Sequence, residues 1–161
     1  MLEKDIGELE RDVVKPDARL SDLLRRAKVI AQETQESGFS EWIQKELNGY
    51  HADDTVPRYR VVRGQPVSWN PVRGWDPVII HDSGTEEKIS QAPLGQSIVE
   101  LEHLVEHRPQ GAVLHIDYPA SVQRLLCDST GVPTKFALQI SSASVVGILH
   151  AVRNELLDRL V

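Results

Sequence analysis

The 161-residue sequence holds a single cysteine, Cys127, so it cannot close an internal disulfide, a pattern that suits a reducing compartment. No apolar run approaches the roughly 20 residues that a membrane span requires. The opening residues, Met-Leu-Glu-Lys-Asp-Ile, lack a positive segment leading into an apolar stretch, so no secretory signal is read and a cytoplasmic protein is expected. Positive charge is in deficit, with 18 Lys and Arg against 24 Asp and Glu. The resulting net charge of −6 argues against a polyanion binder that uses its whole surface. Internal repeats, low-complexity tracts and linkers are absent, which suits one domain spanning residues 1–161. Two catalytic signatures are missing as well: no Gly-x-Ser-x-Gly elbow, and no glycine loop leading to Lys-Ser or Lys-Thr.

What is present begins with helical periodicity. Leu2, Ile6, Leu9 and Val13 recur at three- and four-residue steps, and Lys15-Pro16 ends that stripe. Leu20, Leu23, Leu24, Ala27, Ile30 and Ala31 share one face of a second helix, with Arg25, Arg26 and Lys28 off it. Gly38 is placed to cap that helix and Ser40 to start a third, which turns Trp42, Ile43 and Leu47 inward and stops at Gly49. Three short helices with tight connections predict a helical subassembly.

The middle of the chain reads as strands. Arg58–Arg63 and Pro66–Asn70 flank Gly64-Gln65 as a hairpin, with Pro66 marking an edge strand. Val78–His81 is a third strand candidate, after a loop punctuated by Pro71, Gly74 and Pro77, and Asp82–Glu87 reads as a solvated turn. Leu94, Ile98, Leu101 and Val105 form the stripe of a fourth helix. Ala112–Ile116 and Lys135–Ile140 are strand candidates, separated by a short helix ending at Leu126. A long final helix follows the serines at 141, 142 and 144, its stripe formed by Val145, Leu149, Val152, Leu156 and Leu160. The fold class is α+β: an N-terminal helical subassembly, a strand-rich middle forming a small sheet, and a long C-terminal helix. Because the last stripe keeps helical period to the final residues, the chain is expected to be the front part of a longer protein.

Several constellations bear on chemistry. His103-Leu-Val-Glu-His107 has the spacing of an inverted zincin, yet both histidines point away from the apolar stripe of their helix and read as solvated. The serine cluster before the last helix suits capping. Arg153, at the shoulder of the final stripe, is expected to hold carbonyls or a carboxylate of its own fold. Cys127, on an apolar helix face, reads as a buried, inert thiol. No metal or cofactor is expected. Thr55–Trp75 carries four arginines and no acid. Arg58, Arg60 and Arg63, followed by Trp69, Asn70 and Trp75, are the candidate binding residues. Arginine forks beside aromatic rings serve both protein interfaces and single-stranded nucleic acids, and the same residues also suit a plain core with snorkelling arginines.

Leu20–Ala31, Glu41-Trp-Ile-Gln-Lys-Glu-Leu-Asn-Gly-Tyr50, Val56–Arg63, the Asn70–Trp75 loop and Gln139–Leu157, taken in order, resemble the AbiTii-type domain of bacterial abortive-infection proteins. The resemblance implies a role in phage resistance and an occurrence at the front of longer proteins. It implies no catalytic residue. The expected function is a non-enzymatic assembly or sensing module that self-associates and controls a fused or separate effector. A nucleic-acid or nucleotide module using the 58–75 stretch is the alternative, and a toxin enzyme acting on RNA or nucleotides the third.

Overall fold

Apolar stripes at helical spacing and short alternating runs produce an α+β structure, seen in a computed structural model that describes residues 1–161. In chain order the first elements are α1 (Leu2–Val13), α2 (Leu20–Thr34), α3 (Ser37–Asn48), a single 3-10 turn (Arg58–Arg60), β1 (Val61–Arg63), β2 (Gln65–Asn70) and β3 (Gly74–Pro77). Then come α4 (Ser83–Ile89), β4 (Gln91–Pro93), α5 (Ile98–Glu106), β5 (Val113–Asp117), α6 (Ala120–Thr130), β6 (Phe136–Ser141) and α7 (Ser142–Leu160). Two compact units result, each built from separate stretches. Met1–Tyr59, Gly95–Pro109 and Val145–Val161 form a helical unit; Arg60–Leu94 and Gln110–Ser144 form a sheet unit. No helix is long and apolar enough to cross a membrane.

In the helical unit the expected stripe of α2 is buried at every position, and Arg25 and Arg26 are exposed. The α2–α3 connection is tighter than the glycine suggested. Gln35 adopts the left-handed cap conformation (φ 57°), so Glu36 already precedes α3, and Gly38 and Ser40 lie inside that helix. Gly49 (φ 93°) ends α3 as expected. Leu94 lies outside α5, which starts instead at a reciprocal cap: Ser97 Oγ accepts from Glu100 N, and Glu100 Oε2 accepts from Ser97 N. In α7 the most deeply buried positions are Val145, Ile148, Val152 and Leu156, with Leu149 and Leu160 only half-buried.

Arg153 closes the start of this unit. Its Nη1 donates to the carbonyls of Val13 (3.0 Å) and Lys15 (3.1 Å), and its Nη2 to Ala18 (2.5 Å). Pro16 prevents α1 from continuing, which leaves carbonyls at its C-terminal end without helical partners. The planar guanidinium fork reaches one of them, Val13, together with the Lys15 and Ala18 carbonyls of the α1–α2 connection, which a lysine could not do with the same geometry. The structural use expected for Arg153 is the one observed.

The sheet unit departs further from expectation. β1 does not pair with β2; it pairs antiparallel with β4, while β2 joins a separate four-stranded antiparallel sheet in the order β3-β2-β6-β5. The chain passes between the two sheets at Gly64. A Cβ there would lie 2.3 Å from the Gln139 carbonyl oxygen and 2.8 Å from Ile140 Cγ2, so only glycine lets the backbone cross so close to β6. Pro66 is central rather than at an edge. Its carbonyl accepts from Val78 N (2.9 Å), and the Gln65 side-chain amide reaches the Val78 carbonyl (3.3 Å) that the proline nitrogen cannot serve.

The third strand of the sheet is Gly74–Pro77, not Val78–His81. Asn70 Oδ1 accepts from Val72 N (2.9 Å) and Arg73 N (3.2 Å), turning the chain early enough for Trp75 to pair with Trp69. Val78 and Ile80 then pack, without strand pairing, on a buried cluster of Ile89, Leu126 and Phe136. The stretch read as a solvated turn forms α4, because Asp82 caps it by accepting from Gly84 N (3.3 Å) and Thr85 Oγ1 (2.6 Å). Cys127 packs half-buried on the same cluster, its thiol directed at the Thr134 carbonyl (3.5 Å).

Two substitutions test these contacts by chemical denaturation. Gly64→Ala forces the backbone away from β6 and is expected to cost about 2–3 kcal/mol. Arg153→Met keeps the aliphatic volume and loses the three carbonyl bonds, with an expected loss of about 2 kcal/mol.

Candidate functional site

Side chains alternate between the two faces of a strand. In the four-stranded sheet one face carries Phe136, Leu138, Ile140 and Leu114, all buried. The opposite face carries Trp69 from β2, Trp75 from β3, Gln139 from β6 and His115 from β5. Trp69 stands with its edge toward Trp75 at 5.3 Å between ring centroids and 70° between planes. Trp75 in turn stacks on His115 at 4.6 Å and 18°.

β3 and β5 are the two edge strands, so the Trp75–His115 stack spans the sheet above β2 and β6. The register puts Val67 opposite Ala137 between them, and both are fully buried although they belong to the outward face. The stack therefore acts as a roof over two small apolar residues, a geometry worth more than its area because offset-stacked rings attract one another. His115 Nε2 lies 3.1 Å from Gln139 Oε1, which fixes the ring in place. Trp69 remains 45% exposed, with its backbone held by Lys135 (Trp69 N to Lys135 O, 2.9 Å) and by the Thr134 hydroxyl on its carbonyl (2.6 Å). The result is a rigid, exposed aromatic surface. Two cations of the same strands and turns form exposed ion pairs: Lys135 with Asp117 at 3.1 Å, and Arg73, in the β2–β3 turn, with Asp76 at 3.0 Å.

The six residues singled out from the sequence have different local settings. Trp69, Asn70 and Trp75 meet in the β2–β3 hairpin, with Asn70 acting on the turn itself. The arginines go elsewhere. Arg58 and Arg60 lie in one 3-10 turn rather than along a strand, so they do not share a strand face. Arg58 is exposed and belongs to the helical unit. Arg60 is 0% exposed and donates to the Leu94 carbonyl at 3.0 Å. Arg63, exposed on β1, faces Glu87 at 3.3 Å. His115, 40 positions from Trp75 in sequence, had no local signal; only strand order brings it under the ring.

A second cluster lies in the helical unit. Trp42, Glu46 and Tyr50 follow at four-residue steps in and just past α3, and so share one face. Glu46 is 0% exposed; its Oε1 accepts from the hydroxyls of Tyr50 (2.8 Å) and Tyr59, and Trp42 Nε1 donates to the Tyr59 oxygen (2.9 Å). Burial, together with the neighbouring Glu46 carboxylate, pushes both phenols well above the usual tyrosine range. Burial alone pushes Tyr118 up to about 12, its hydroxyl donating to the Ile89 carbonyl at 2.6 Å. These groups are arranged to hold protons and to tie segments together.

His103 on α5 and His107, the residue that caps its C-terminal end, are exposed with their rings 4.2 Å apart, as the helical geometry predicted. The glutamate between them, Glu106, is drawn to Arg19 Nη1 at 2.5 Å. A surface recess of about 520 Å³ in the helical unit is lined by Val13, Val14, Val105, Leu149, Leu157 and the carbonyl-bound Arg153.

A family model for AbiTii matches residues 6–160. No curated protein and no solved structure matches the chain.

The three tyrosines give a pH signature. A phenol whose pKa is raised on folding stabilises the fold below the unfolded value of about 10 and loses that contribution as pH rises toward the folded value. Stability is therefore expected to fall from about pH 10 upward, by up to about 1.4 kcal/mol per pH unit for each tyrosine. Denaturant titrations of the wild type and of Tyr59→Phe between pH 8 and pH 11 check this; the variant should show the shallower decline.

Proposed function

This chain belongs to the AbiTii family of abortive-infection, or phage-resistance, proteins, and from that premise we propose that it is a non-enzymatic assembly or sensing module, acting in the cytoplasm and controlling a separate effector. The observation that carries the reading is the Trp69–Trp75–His115 surface. Exposed tryptophan held rigidly by its backbone loses little freedom on binding and removes much apolar area from water, which is why it dominates protein interfaces. A charge-balanced surround suits a protein partner.

The polar groups that an enzyme would use are engaged in the fold. Glu46 ties Tyr50 and Tyr59 to α3, Arg153 holds three main-chain carbonyls, and Glu106 pairs with Arg19. Their placement favours a module that binds over one that transforms a substrate. A single-stranded nucleic acid or nucleotide stacked on the same rings is the alternative, since every base has a face to offer. It needs cations beside the rings, and Lys135 and Arg73, on the segments flanking Trp69, each have a carboxylate partner.

Trp69→Ala removes the exposed ring and leaves the Trp75–His115 roof intact. In cells carrying the native locus the variant is expected to lose phage protection, while the purified protein melts within a few degrees of wild type. Loss of a central tryptophan typically weakens an interface by 2 kcal/mol or more, about thirtyfold. Full protection by a folded Trp69→Ala protein would reject the surface. Wild-type protein that purifies with nuclease-sensitive, salt-released material would instead favour the nucleic-acid reading.

A further inference from the structure

The two edges of the four-stranded sheet differ. β3 is short and ends at Pro77, which has no N–H for a neighbouring strand. β5 has five residues, Val113-Leu-His-Ile-Asp117, with neither proline nor lysine.

Ladder alternation shows which β5 groups are open. Ser142 N donates to Ala112 O (2.8 Å), and on the other side of β6 Trp69 N donates to Lys135 O (2.9 Å). In an antiparallel ladder bonded and non-bonded pairs alternate, so Leu114 and Ile116 bond to Ile140 and Leu138 of β6. The N–H and C=O groups of Val113, His115 and Asp117 therefore point outward. No main-chain hydrogen bond within the chain takes them up, and all three residues are exposed, Val113 at 52%. An uncovered edge of this kind is a template for another strand.

The sequence of the edge is self-complementary. Set antiparallel to itself about His115, it places Val113 opposite Asp117 and Leu114 opposite Ile116, so the core-facing apolar residues meet one another. Each outward residue then faces an outward residue, and the three pairs exchange two hydrogen bonds apiece. No like-charged carboxylates are opposed.

We propose that β5 pairs with β5 of a second copy about a twofold axis at His115, joining two four-stranded sheets into one continuous sheet. The pairing is isologous, as a twofold contact must be. It also sets the two Trp75–His115 roofs side by side on one face of the joined sheet. This inference rests on reading the chain as an assembly module and names the surface that performs the assembly.

Sedimentation equilibrium on the full chain, from low micromolar to submillimolar concentration, tests it with two variants at one exposed position. Val113→Asp puts a second carboxylate opposite Asp117 at both ends of the axis and should weaken the dimer about tenfold. Val113→Lys puts an opposite charge there and should bind as tightly as wild type or tighter. Equal effects of the two would overturn the register. Hydrogen exchange supplies an independent check: the amides of Val113, His115 and Asp117 should gain protection with concentration, while those of Leu114 and Ile116 are protected throughout. A dimer whose odd-numbered amides stay unprotected overturns this surface and leaves the assembly reading standing. A protein that stays monomeric at every concentration overturns the pairing, whereas loss of phage protection in Trp69→Ala reports on the functional reading by itself.

Discussion

The pairing of β2 with β6 is the constraint on which the sheet unit depends. It sets Val67 against Ala137 and so decides which residues lie beneath the Trp75 ring. It also runs the backbone of residue 64 so close to the Gln139 carbonyl that any side chain would collide. From that one register follow the crossing between the two sheets, the central position of Pro66 and the outward aromatic face. Strand register admits no half measures, because a shift of one residue would exchange the two faces completely. Phe136, Leu138 and Ile140 are buried on the core face, and a one-residue slip would turn all three outward.

Buried and half-buried polar groups in this protein organise main chain and phenols. Arg153 gathers the carbonyls of Val13, Lys15 and Ala18 around the α1–α2 connection, and Glu46 gathers two tyrosine hydroxyls. A buried charge costs several kcal/mol to desolvate unless hydrogen bonds replace its water, which explains the several donors or acceptors around each. Such networks make the fold specific. On the surface, the exposed ring of Trp69 adjoins rings already locked by packing. Family membership gives the protein an abortive-infection setting.

Local chemistry was legible in detail. The stripes of α1, α2 and α3, the stop at Gly49, the break at Pro16 and the α6, β6 and α7 segments all follow from periodicity and from the conformational limits of glycine and proline. The outward placement of His103 and His107 and the structural use of Arg153 followed from helical geometry alone. Pairing was not legible. Arg58–Arg63 next to Gly64-Gln65 has the local look of a hairpin, yet β1 finds β4, some 30 residues away. The candidate arginines do not line a strand, because a 3-10 turn takes the place of two of their strand positions and one guanidinium is buried.

The sequence by itself determined where the chain turns helical, where it must bend and which residues must be buried, because those outcomes depend on neighbours within a turn or two. It also carried enough ordered motif to identify the family. Tertiary structure alone decided that Trp75 lies on His115, that Val67 and Ala137 are roofed over, and that β5 ends as an open edge. Those outcomes depend on strand order, and strand order is chosen by long-range packing that no local pattern encodes.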